Sequence, residues 1–166
     1  MKILTVVDSL GLGGTERTAQ TFAEAYLKLK HESKVLYFNN YNDRESKLVD
    51  QGIECLRLLT FENISKILNW NPDLVHIHSH GLSEDNSHDL EFLFDGSRKI
   101  VEQNVFSCET FFTKKVNISY QLSNWGNWIF SNRTNGVFKF KSAILPNATD
   151  INAFKPAKDL EITKFK

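Results

Sequence analysis

The sequence predicts an α/β fold with a Rossmann-like, doubly wound and mainly parallel sheet flanked by helices. Short apolar runs alternate along the chain with segments of helical periodicity, which is typical of βαβ units. The first apolar run, residues 2–7, leads into a glycine-rich turn and then into an amphipathic segment, residues 15–29. Since 166 residues correspond to about one domain, we expect one such sheet.

The individual elements follow from periodicity. Ala19, Phe22, Ala23 and Tyr26 recur at i, i+3, i+4 and i+7 in the first helical segment, so they share one face. The predicted strands are 2–7, 34–38, 53–58, 74–78, 99–105, 117–122 and 142–145. The predicted helices are 15–29, 44–51, 63–70, 87–94 and 125–131.

Composition excludes several classes of protein. The chain carries 20 Lys and Arg against 20 Asp and Glu, so no net charge favours a nucleic-acid partner. Cys55 and Cys108 match no metal or redox spacing and are typical of a reducing compartment. The N-terminal apolar run is too short for a signal peptide or a membrane span. We therefore expect a cytoplasmic protein.

The turn after the first strand is a candidate anion site. It contains Gly11, Gly13 and Gly14, and Thr15 and Glu16 open the helix. Free N–H groups at a helix start point towards an anion, and glycine lets a phosphate approach the backbone. The G-x-G-G spacing is neither the dinucleotide fingerprint nor a P-loop. The turn predicts either a phosphate or sugar-phosphate site or a tight turn that binds nothing.

His76, His78 and His80 follow at period two, so on a strand they share one face near its carboxyl end. One interpretation is a Zn²⁺ or Mn²⁺ site, and the segment resembles the opening of the polymerase-and-histidinol-phosphatase hydrolases. A second is a hydrogen bond from His78 or His80 to a sugar hydroxyl or phosphate. A third is a core His76 with solvated neighbours. Further metal ligands are not recognisable, so we expect no metal.

Residues 110–149 contain no Asp or Glu but five cations, interleaved with aromatic residues. Such a stretch suits a lipid phosphate at a membrane surface, or the stacking of sugar or base rings. It also suits a core and domain-interface segment with solvated cations. Single-stranded nucleic acid favours aromatics between cations, but the neutral chain argues against it.

Four segments, in order along the chain, resemble the N-terminal domain of a family-4 retaining glycosyltransferase of GT-B architecture. Residues 13–17 resemble the family's GGxER loop, and residues 72–80 its P-D-[VL]-V-H-x-H segment. Residues 101–106 resemble its fifth-strand end, and residues 144–156 its I-P-N-G-[VI]-D-x-x-x-F-x-P motif. Ala148 replaces the glycine of that last motif, and a positive φ there would strain the backbone.

The resemblance implies transfer of a sugar from a nucleotide-sugar donor to a glycan or lipid-linked acceptor with retention, in surface polysaccharide biosynthesis and without a metal or other cofactor. Residues 1–155 would form the acceptor-side domain, and residues 156–166 a linker towards a donor-binding domain supplied in cis or in trans. We expect this chain alone to be inactive. Contact with the inner face of a membrane through residues 110–149 is a further expectation.

The substrate-binding residues that follow from the glycine turn, the histidines and the resemblance are Gly13, Gly14, Thr15, His78, His80, Glu102, Asn104 and Asn147. The last three face the cleft by resemblance only. No catalytic residue is assigned, because the histidine that many members carry at the fifth-strand end is absent. The alternatives are a metal-dependent phosphoesterase that uses His76 and His78, and a non-catalytic sugar- or phosphate-binding module that completes another chain.

Overall fold

The computed structural model describes residues 1–58, 61–79 and 87–149, and its centre is a sheet of seven strands. All neighbouring strands are parallel, in the order β3-β2-β1-β4-β5-β6-β7. The strands are β1 (Lys2–Val7), β2 (Glu32–Tyr37), β3 (Glu54–Arg57), β4 (Leu74–Ser79), β5 (Lys99–Asn104), β6 (Ile118–Gln121) and β7 (Ser142–Ile144). The predicted α/β, doubly wound fold class is confirmed.

Helical segments connect most of these strands. The α-helices are α1 (Gly14–Lys28), α2 (Glu45–Val49), α3 (Phe61–Trp70) and α4 (Asn124–Arg133). Two 3₁₀ segments, Ser87–Leu93 and Lys139–Lys141, precede β5 and β7. The first of these falls where the sequence predicts a helix, whereas the second lies outside the predicted elements. None of the described helices is both long and apolar enough to cross a bilayer.

Two apolar layers enclose the sheet. Leu4, Val6 and Ile77 point to one face, where they pack with residues of α3 and of the 3₁₀ segment before β5. Ala19 and Ala23 of α1 are fully buried against the other face. Because alanine has only a methyl side chain, the α1 axis lies close to the strands, and α1 covers β1, β2 and part of β4.

The strand order indicates where a ligand would be expected to bind. From β1 the chain moves outwards to β2 and β3, then returns to the other side of β1 with β4. In open α/β sheets, ligands bind in the crevice outside the carboxyl ends of the strands at such a reversal. The loops after β1 and β4 therefore flank the expected crevice. Residues 8–13 form the first loop, and His80 in the second lies outside the described residues.

Candidate functional site

The buried side chain of Arg44 holds the loop between β1 and α1 through hydrogen bonds. Its Nε donates to the carbonyl oxygen of Gly11 at 2.7 Å, and its Nη2 donates to that of Leu12 at 3.2 Å. Its Nη1 donates to the side-chain oxygen of Gln20 on α1 at 3.0 Å. Burial lowers the pKa of the Arg44 guanidinium below its usual value, but the group remains charged. Arg44 thus fixes the loop shape and puts a positive charge beneath it.

The N-terminus of α1 is open towards solvent. Gly13 is the N-cap residue, and no side chain accepts a hydrogen bond from the first turn. Gly13 and Gly14 are exposed and Thr15 is half-buried, so solvent reaches the first turn of the helix, which Gly13 has no side chain to cap. A Cβ added at Gly14 meets nothing within 4 Å, so packing does not explain this glycine. Ligand binding by these three residues stays a prediction.

A carboxylate lies beside this N-terminus. Glu16 accepts a hydrogen bond from the Ser9 hydroxyl at 3.0 Å, and a Cβ at Gly13 would collide with the Glu16 side chain. A negative charge in the first turn is favourable because of the partial positive charge of the helix end. A bound phosphate would compete with the Glu16 carboxylate for the positive end of the helix. Glu16 therefore lowers the affinity for an anion unless its side chain moves away.

His76 and His78 lie under α1 rather than in open solvent. Their rings are 4.2 Å apart, and both are almost fully buried. The Tyr26 hydroxyl forms a hydrogen bond with Nδ1 of His76 at 2.7 Å, and Phe22 packs edge-on against the same ring. Burial lowers the pKa of His76 to about 4, and burial, together with the neighbouring His76, also lowers the pKa of His78 well below its usual value. His76 is a core residue, as one interpretation predicts, but the same interpretation is wrong for His78, which it expects to be solvated and which is buried.

Gln103, which sequence analysis missed, lies next to His78 on the neighbouring strand. The two residues are in register on β4 and β5, so their side chains share a face. The side-chain amide of Gln103 donates to Oδ1 of Asn147 at 3.1 Å and to the carbonyl oxygen of Leu145 at 3.2 Å. Among the described residues, Nε2 of His78 and Oε1 of Gln103 are buried without a partner. Asn147 itself is exposed.

The resemblance implies that Glu102 and Asn104 face the cleft, but both side chains are buried within this domain. Both are on the opposite face from His78 and are fully buried. Glu102 accepts hydrogen bonds from the hydroxyls of Thr110 at 2.6 Å and Ser119 at 2.9 Å, and burial raises the pKa of its carboxyl. Asn104 donates to the carbonyl oxygen of Cys108 at 2.6 Å. Strand alternation explains the difference, because odd and even residues of β5 point to different faces.

Two further expectations concern metals and strain. Within the described ranges, no three His, Cys, Asp or Glu side chains are grouped to hold a metal ion. Ala148 does not have a positive φ, so the replacement of glycine there causes no strain. The non-glycine residues that do have a positive φ in the described part are Lys30, Asn71, Ser107 and Asn135.

Comparisons with known proteins rest on structure alone. No protein-family model and no curated protein matches the sequence. A glycosyltransferase from Rickettsia africae ESF-5 matches with a TM-score of 0.68 and 15% identity, over 98% of this chain and 48% of that one. MurG from Acinetobacter baumannii matches with a TM-score of 0.54 and 10% identity, over 75% of this chain and 42% of that one.

A third structure is an α-glucosyltransferase in complex with UDP and a 13-mer DNA that contains an HMU base. It matches with a TM-score of 0.64 and 12% identity, over 90% of this chain and 43% of that one. The chain thus spans about half the length of the structures it matches. The likeness shows a shared fold: this chain has the Rossmann-like α/β fold of GT-B glycosyltransferases.

Proposed function

We propose that this chain is the acceptor-side domain of a glycosyltransferase, which transfers a sugar from a nucleotide-sugar donor to a glycan or lipid-linked acceptor. One observation carries the proposal: an uncapped helix start after a glycine loop lies at the switch point of the sheet. The same fold occurs in three glycosyltransferase structures. The resemblance of residues 13–17 to the GGxER loop supports the same function.

The chemistry of sugar transfer explains why this loop matters. When the bond to the donor phosphate breaks, negative charge develops on the leaving diphosphate. Preorganised N–H groups that meet this charge supply a large part of catalysis. Gly13, Gly14 and Thr15 would donate such N–H groups, either to that diphosphate or to a phosphate of the acceptor. Arg44 would act as a positioning residue, since its own donors are bonded to loop carbonyls and Gln20.

The finer assignments belong to the same proposal. Transfer would proceed with retention, without a metal or other cofactor, in the synthesis of a surface polysaccharide at the inner face of the membrane. A donor-binding domain, in cis or in trans, would close the crevice. His78, His80 and Asn147 would contact the acceptor, and for His78, whose Nε2 atom is buried, this contact requires the side chains above its ring to move.

The metal-dependent phosphoesterase is less well supported. A metal bound by His76 and His78 would have to displace the contacts that Phe22 and Tyr26 make with their rings. The binding-module alternative differs from the enzyme only in turnover. No nucleic-acid partner is proposed, because the chain has no net charge to offer a phosphate backbone.

An NMR titration tests the anion site directly. The ¹⁵N-labelled chain is titrated with inorganic phosphate and with glucose 1-phosphate, and the amide signals of Gly13, Gly14 and Thr15 are followed. We expect these signals to shift, because their N–H groups would bond the anion. Gly14→Val should remove the shifts. Lys28→Val, in the last turn of the same helix, is the matched control and should keep them.

Two results would contradict the anion site. In one, neither ligand shifts the three amides. In the other, Gly14→Val binds both ligands as well as the unmodified chain does. In either case the loop is a tight turn, and the proposed function loses its main support in this structure.

A further inference from the structure

The solvent face of α4 forms a groove of about 550 Å³. Its lining residues recur every three or four positions along the helix, and they continue into the turn that follows. They are Asn124, Asn127, Trp128, Ser131, Asn132 and, beyond the helix, Asn135, Gly136 and Lys139. The opposite side of the helix carries the buried Gly126 and Phe130. The groove is therefore a separate face that the packing of α4 does not need.

Two exposed tryptophans mark this face. The rings of Trp125 and Trp128 stack with centroids 4.8 Å apart and planes inclined by 17°. Their exposed fractions are 66% and 57%. Indole rings are usually buried or placed at interfaces, because they carry a large apolar surface with one polar N–H. Stacking on Trp125 holds Trp128 in a fixed orientation beside the groove, which prepares a flat apolar surface for a ligand.

The rest of the groove is rich in side-chain amides. Asn132 donates its amide to the carbonyl oxygen of Trp128 at 2.9 Å. Oδ1 of Asn127 is buried and has no hydrogen-bond partner among the described residues. Lys139 is the one charged residue in the lining, and the lining has no carboxylate. Amides both donate and accept hydrogen bonds, so they match hydroxyl groups, which do the same.

We propose that this α4 groove binds a neutral hexopyranose chain, with one sugar ring stacked on Trp128 and its hydroxyls bonded to the neighbouring amides. A pyranose ring has an apolar C–H face and a rim of hydroxyls, which complements an indole bordered by asparagines. The inference extends the proposed function and rests on it for the role of this glycan as the acceptor. Binding itself requires neither donor nor transfer.

The position of α4 agrees with an acceptor role. The helix follows β6, so its first turn begins at the carboxyl edge of the sheet, the edge that also carries the glycine loop. Gly126 in that turn packs against Ser107 of the loop after β5, where a Cβ would lie 2.8 Å from the hydroxyl oxygen. One end of the groove, at Asn124, therefore lies at this edge, and a glycan in the groove would extend from there along α4.

A membrane surface is the competing occupant, and the contacts disfavour it. Lys114 pairs with Glu109 at 3.2 Å, and Lys115 pairs with Glu91. Arg133 donates to the carbonyl oxygen of Phe106 at 3.1 Å. Three of the five cations of residues 110–149 are thus engaged within the protein. Moving several asparagine amides into the apolar part of a membrane would also cost free energy, because they would lose their hydrogen bonds to water. The hydroxyl groups of a glycan would replace those hydrogen bonds.

Calorimetric titration of the 166-residue chain with maltoheptaose, cellohexaose and chitohexaose tests the proposal. We expect at least one of these probes to bind, and Trp128→Ala to weaken that binding about tenfold or more. Trp128→Tyr should retain most of the affinity, because it keeps an aromatic face. Asn124→Leu removes one amide without the ring and should weaken binding by a smaller factor. Trp70→Phe is the matched control and should not change it.

Trp70 suits this purpose because it packs elsewhere. Its Nε1 donates to Glu32 at 3.2 Å, and Lys34 lies over its ring. The proposal is overturned if none of the three probes binds, or if Trp128→Ala binds as tightly as the unmodified chain. It is also overturned if the chain binds phosphatidylglycerol vesicles instead, through the same tryptophan. Glycan binding without the phosphate-induced shifts at Gly14 would support the groove and contradict the anion site.

Discussion

Replacing His76 by glutamine should flatten the acid dependence of stability. Burial lowers the pKa of His76 from 6.5 to about 4, so protons bind the unfolded chain more readily than the folded one. The folded state therefore carries no penalty from this group above pH 6.5, and it loses stability as the pH falls from about 6.5 to about 4. One pKa unit corresponds to about 1.36 kcal/mol, so the loss over this interval is about 3 kcal/mol.

Urea unfolding at several pH values between 7.5 and 4 measures this effect. Glutamine does not titrate, and its side chain can still bond the Tyr26 hydroxyl that His76 contacts. The unfolding free energy of the unmodified chain should fall by about 3 kcal/mol more than that of His76→Gln over this range. His31→Gln, between α1 and β2, controls for the loss of a histidine as such. Parallel pH profiles for the unmodified chain and His76→Gln would show that burial does not lower the pKa of His76 in the folded state.

Four other substitutions have defined outcomes. Gly14→Ala should leave the melting temperature unchanged or raise it, since alanine favours helix by up to about 1 kcal/mol, yet weaken phosphate binding in the NMR titration. Glu16→Gln should strengthen phosphate binding about threefold or more, because it removes a competing charge. Arg44→Met should lower the unfolding free energy in urea by about 2–4 kcal/mol, because it leaves the carbonyl oxygens of Gly11 and Leu12 without their hydrogen-bond donor. Phe130→Ala should cost about 3–5 kcal/mol by the same method, because Phe130 is fully buried. Equal stability in either of the last two variants would contradict the packing described.

The sheet could be predicted because its signals are local. β1 and β2 contain short apolar runs, and periodicity identifies α1 from its own sequence. The 3₁₀ form of Ser87–Leu93 could not be predicted, because its hydrogen bonding depends on packing against the sheet through Leu90 and Leu93. Helical periodicity alone does not separate 3₁₀ from α geometry over so few residues.

The candidate site was predicted only in part. The glycine loop is contiguous in sequence, so Gly13 and Gly14 could be named together. Arg44 could not, because the loop carbonyls it bonds are 32 and 33 residues away along the chain. The placement of Gln103 and Glu102 could not be predicted for a different reason. Which of two neighbours on β5 shares the face of His78 depends on the register between strands, and no sequence pattern here fixes it.

Glycosyl transfer by the whole protein is expected to depend on the glycine loop. We would measure the release of nucleoside diphosphate by the complete gene product from a panel of nucleotide-sugars. Mass spectrometry of the glycan product would be carried out on the same reactions. We predict release coupled to a product one sugar larger, and loss of both in Gly14→Val with a folded protein. No release from any donor, or unchanged turnover in Gly14→Val, would contradict the claim.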